Sequence, residues 1–245
     1  MGRFDSSNNP LLNEDRLKSE ARNISYAEGG VMTREGALNK TILMVGIMLL
    51  TGLYAFTSPS SLFMYGGMFG GLILFFVTMF KPTIANITAP IYAALEGLFV
   101  GSVSALYASI QNGIILQAVS VTICILLVML IIYRSGLIPV TNKLRTGIVA
   151  ATGAIFLLYV ANFILSMFGI NIPFLHSGGV MGIGISLFII GIAAMNLLLD
   201  FDMIDRGDEM GLPKHMEWYF GMGLLATLVW IYVEVLRLIA VLNRD

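Results

Sequence analysis

From Thr41 to Phe80 the chain carries no Asp, Glu, Lys or Arg, and that absence of charge constrains the fold more than any motif does. Crossing a hydrocarbon core takes about 20 apolar residues in helical form. This stretch supplies two such lengths, separated by Ser58-Pro59-Ser60-Ser61. The pattern then repeats, and the same template places helices near 40–57, 62–80, 85–109, 113–133, 146–169, 179–202 and 221–242. Composition agrees: 57% of residues are hydrophobic and 12% charged, against roughly 25% charged in a soluble domain. The expected architecture is all-α, a polytopic membrane protein with a seven-transmembrane-helix bundle over residues 40–245. A polar N-terminal tail, residues 1–39, precedes it and lacks the apolar periodicity of a core.

Lys and Arg fall almost wholly on one side of these spans: six from Arg3 to Lys40, then Lys81, Arg134, Lys143, Arg145, Arg206 and Lys214. The tail is therefore expected in the cytoplasm. Arg237 and Arg244 would then lie on the wrong side, so a last segment that re-enters without crossing stays open. Several functions are disfavoured. A net charge of −1 gives no basic surplus for nucleic acid. The single Cys124 cannot build a disulfide or a cysteine metal site within one chain. His176 and His215 fall in connections on opposite sides and cannot share a metal. No GxSxG, HExxH or P-loop pattern occurs, and no enzyme is expected. A paired-aspartate intramembrane protease is disfavoured too, because the last helix offers Glu234 and no Gly-Asp dipeptide.

Four carboxylates fall inside or at the edge of the spans: Glu96, Asp200, Asp202 and Glu234. An ionised carboxylate at mid-bilayer costs from about 3 to more than 10 kcal/mol, so such groups face the protein interior and serve a purpose. Glu234 lies within LVWIYVEVLRLIAVL, with Arg237 at i+3 on the same face. That spacing suits a buried packing pair as well as a sensing group. Asp200 and Asp202 are about 200° apart around their helix, so one of them at most faces a central cavity. Glu96 lies near the middle of the third helix with no basic residue within a turn, and with Arg237 it reads as a secondary polar lining. If Asp202 or Asp200 meets Glu234, the two acids cannot both ionise cheaply and titrate as a unit. Such a pair is a proton-sensitive gate. Fully ionised, it is a hard-oxygen site attractive to calcium.

Most of the chain from the first helix on also carries a resemblance, most specific in the final fifty residues. Phe201-Asp202 followed by Gly207-Asp208, a final helix reading IYVEVLRLIAVL, Leu95-Glu96-Gly97 with Gly101, and Arg134-Ser135 together resemble the Bax inhibitor family, the transmembrane Bax inhibitor motif proteins with their bacterial YccA-like members. The resemblance implies a bundle with the last helix central and a pH-sensitive calcium leak in the cell membrane, a bacterial inner membrane for YccA-like members. Asp202 matches the family's acid in helix six and Glu234 its partner in helix seven. The chain departs from the pattern in having Met203-Ile204 where the family has Thr-Gln, Glu in place of Asp on the last helix, and Asp200 as an added acid. The resemblance implies lipid and calcium ion as partners and no other cofactor. It also implies an alternative role: a membrane adaptor that modulates a membrane-bound quality-control protease, with the tail as the contact.

Overall fold

The computed structural model describes residues 29–169 and 180–243. Residues 1–28, His176, Gly178, Gly179 and Arg244 lie outside the described residues. Seven helices follow one another: α1 (Arg34–Thr57), α2 (Ser61–Phe80), α3 (Ala85–Ile110), α4 (Ile114–Ser135), α5 (Asn142–Met167), α6 (Val180–Met210) and α7 (Met216–Leu242), with a 3-10 turn at Pro82–Ile84. Each of the seven is long and apolar enough to cross a membrane. Their starts are local chemistry. Thr33, Ser60 and Thr141 cap α1, α2 and α5 by accepting backbone N–H bonds at Gly36, Leu62 and Leu144. Gly136 closes α4 in the left-handed region, φ 66°, which residues with a side chain adopt only at a cost.

Three helices outrun the hydropathy template by five residues or more. α1 starts at Arg34, α6 runs on to Met210 and α7 starts at Met216. A hydropathy template stops at charge, but here the charges are satisfied in place: Arg34 pairs with Asp205 at 3.3 Å, and Asp202 pairs with Arg206 on its own helix at 2.8 Å. α7 is one unbroken helix of 27 residues, about 40 Å long at 1.5 Å per residue. It therefore has the length to cross completely, which the re-entrant alternative would not need.

Burial ranks the helices. In the apolar window of α7, 56% of residues are buried, against 11% for α5, so the last helix is central and α5 is peripheral. α1 and α3 meet through glycine. A methyl group added at Gly97 would lie 1.9 Å from Thr51 Oγ1, and one at Gly101 would lie 2.1 Å from the Gly52 carbonyl oxygen. Nothing larger than hydrogen fits, which is the close approach expected of their small-xxx-small spacing. At the end of the bundle where α1 begins, here called the tail end, residues 30–32 are strapped to the α6–α7 turn. Met32 N–H donates to the Leu212 carbonyl and Lys214 N–H to the Gly30 carbonyl, and the Met32 side chain is fully buried.

A polar seam between α5, α6 and α7

α5 meets α2 through ring contacts, Phe69 with Phe163 and Phe76 with Phe156, and meets α6 and α7 through a row of polar groups. Arg145, Thr152 and Tyr159 recur every seven residues, with Ile148 and Ile155 as the buried residues of the helix three positions further on. Seven residues is close to two turns, so the five lie along one stripe. Each polar member finds a partner. At the tail end the Arg145 guanidinium donates to Asp202 Oδ2, an oxygen also shared by Arg206. Midway, Asn196 Nδ2 donates to Thr152 Oγ1 at 2.8 Å. Further in, the Tyr159 hydroxyl donates to Glu234 Oε1 and accepts from Arg237 Nη1 at 3.1 Å. Arg237 Nη1 also lies 3.6 Å from Glu234 Oε2. From Arg145 to Tyr159 the stripe covers about 21 Å of helix rise.

The seam contains Asp202, Glu234 and Arg237 but does not bring Asp202 and Glu234 together. α6 and α7 run antiparallel, with Phe220 packed on Gly207 and Gly223 beside Asp200. Counted from Asp200 beside Gly223, that register puts Glu234 level with Ile189, about 20 Å along the axis from Asp202. The direct carboxylate pair expected from the sequence is therefore not formed, and each acid has an arginine instead. The reason is depth: Asp202 lies toward the tail end of α6, while Glu234 lies past the middle of α7.

Asp200 and Asp202 do point to different neighbours. Asp200 turns toward α7, where Thr227 is its polar neighbour, and its buried Oδ2 has no hydrogen-bond partner. Glu96 is buried against α2, where a methyl group at Gly71 would lie 2.8 Å from its Oε1, with Tyr92 one turn earlier as its polar neighbour. It belongs to the α2–α3 contact and adds nothing to the seam. Among the described residues no three His, Cys, Asp or Glu side chains cluster as metal ligands.

Sequence reasoning missed Arg145, Thr152, Tyr159 and Asn196, although the seven-residue spacing on α5 was visible. It also missed Glu217, which is 1% exposed. One Glu217 carboxylate oxygen accepts from Thr33 N–H at 3.0 Å and from the Thr33 hydroxyl at 3.3 Å, and Lys214 Nζ lies 3.4 Å away. This carboxylate sits at the start of α1, where the helix dipole favours negative charge. Close by, Tyr133 donates to Asp205 at 2.7 Å. Acids and bases of α1, α4, α5, α6 and α7 thus close the tail end.

The fold and its seam define a class: a polytopic seven-helix membrane protein with ionisable groups drawn inward around its last helix. Residues 9–244 match the family described as Bax inhibitor 1 like. The chain belongs to that family. None of the curated proteins matches it.

Proposed function

We propose that this chain is a proton-responsive cation leak, with Asp202 and Glu234 as two stations in series along the α5 seam and calcium as the ion that passes. The observation supporting this is the polar stripe itself. A helix facing lipid has no need of Arg145, Thr152 and Tyr159 at one face, and intramembrane ionisable groups mark ion and proton paths. Protonated Glu234 keeps its bond to Tyr159 without a counter-charge, and the seam stays shut. Ionised Glu234 engages Arg237 and an incoming cation, and α5 separates from α7. At the tail end Asp202, shared by Arg145 and Arg206, is the second barrier. No chemical turnover is invoked. The Lys and Arg bias orients the tail end toward the cytoplasm, in the inner membrane if the host is bacterial.

The test is calcium flux from liposomes holding the full chain, followed against pH. Glu234→Gln keeps the bond to Tyr159 but cannot ionise, so flux should fall and lose its pH dependence. Unchanged flux with unchanged pH dependence would sink the proposal. Removing residues 1–28 separates this reading from an adaptor of a membrane-bound protease. The cut falls before the strap at Met32, so a leak persists in lipid and an adaptor loses its partner.

A further inference from the structure

Asp200 belongs to neither the seam nor the tail-end network. Between α2, α6 and α7 lies a cavity of about 190 Å³, lined by Phe75 and Met79 of α2, Asp200 and Met203 of α6, and Tyr219 and Met222 of α7. A single water needs only ~15 Å³ by a comparable measure, so the space holds something larger. Among the described residues no basic group pairs with Asp200, and its Oδ2 has no hydrogen-bond partner. The Arg145 guanidinium, which reaches Met203 Sδ at 3.5 Å, is committed to Asp202. The cavity therefore has one carboxylate, three aromatic rings, Phe220 being the third, and three thioethers.

That donor set selects among cations. Calcium requires six to eight oxygen ligands, and one carboxylate with Thr227 nearby falls far short. A hydrated hard metal ion would also have to shed water against aromatic rings and thioethers, which are poor ligands for hard cations. An organic ammonium carries its charge on a weakly hydrated, apolar head. Aromatic faces attract such a head by about 0.5–2 kcal/mol each, and a desolvated carboxylate supplies the counter-charge. We infer that this cavity binds a small alkylammonium cation, with Asp200 as counter-ion and Phe75 and Tyr219 as its aromatic walls. Two sources share this chemistry: a free amine from the tail side, and the ethanolamine or choline head of a lipid entering sideways. The site is distinct from the seam and does not depend on the leak reading.

The experiment titrates the full chain in detergent with choline and, separately, with its uncharged carbon isostere dimethylbutanol, following the unfolding temperature. Choline should raise it in a concentration-dependent way, with the isostere at least roughly tenfold weaker, a difference of 1.4 kcal/mol. Asp200→Asn should abolish the difference between the two compounds, and Phe75→Leu should reduce it. Equal responses to choline and isostere in the unsubstituted protein, or no response to either, would overturn the inference even if Asp200→Asn fails to fold. Nanodiscs then identify the source. If choline binds in phosphatidylglycerol discs but is excluded from phosphatidylethanolamine discs, the occupant is a lipid head. Equal binding in both identifies a free amine.

Discussion

The Tyr159 hydroxyl donates to Glu234 Oε1 and at the same time accepts from Arg237, so one phenol joins the least buried helix of the bundle to the most buried. Replacing it with Phe removes both bonds and takes away the hydroxyl that donates to Glu234 Oε1. A hydrogen bond to a charged group is worth about 1.5–3 kcal/mol, which for a chain of this size is roughly 3–10 °C in unfolding temperature. Tyr159→Phe should lower the melting point by that amount, and calcium flux should become less sensitive to pH. A melting point within a degree of the unsubstituted protein would mean that the bond contributes nothing.

Arg145 and Asp202 are 30% and 13% exposed, so their pairing is only partly screened. A double-mutant cycle with Arg145→Ala and Asp202→Ala should give a coupling of about 1 kcal/mol, shrinking as salt is raised toward 1 M. Arg206 shares the same oxygen, so Asp202→Ala alone should cost more than Arg145→Ala alone. A zero coupling at low salt would place Arg145 outside the seam.

The α1–α3 crossing depends on glycine at one face only. Gly97→Leu must displace Thr51 and the Met48 backbone, and overpacking of backbone by a whole side chain should exceed about 3 kcal/mol and prevent recovery of folded protein. Gly46, on the same α1, has nothing within 4 Å of an added methyl group. Gly46→Ala should be neutral or stabilising by up to about 1 kcal/mol. Comparing detergent-solubilised yield and melting for the two variants tests the crossing directly.

Glu217→Ala leaves the Thr33 amide and the Lys214 ammonium without their common acceptor. Losing that acceptor costs about 1–3 kcal/mol, so amide exchange over residues 30–33 should accelerate roughly tenfold or more while α3 and α4 keep their rates. Uniform acceleration across the bundle would show that Glu217 supports the whole fold rather than the strap.

Much of this architecture is legible from residue order. Uncharged runs specify seven spans because a bilayer tolerates few alternatives, and Gly97 with Gly101 announces a close crossing. Helix ends were less legible, because Arg34, Asp205 and Arg206 look like loop residues until the partner that neutralises each is known. The seam was half visible. Glu234 and Asp202 stand out as acids in apolar surroundings, but the pairing of each is set by the register of α6 against α7, which no local pattern encodes. Arg145 counts in the sequence only as a positive charge in a connection. The fold turns it into the first residue of a stripe that continues through Thr152 and Tyr159.

The stripe's spacing also limits how α5 can move. Its three polar contacts repeat every seven residues, whereas one turn is 3.6. A one-turn piston stroke of ~5.4 Å would therefore break all three together and offer no replacement partner at any rung. Re-matching would take a stroke of about 10.5 Å, two full turns. α5 is built to swing or roll open, rung by rung, and is locked against sliding.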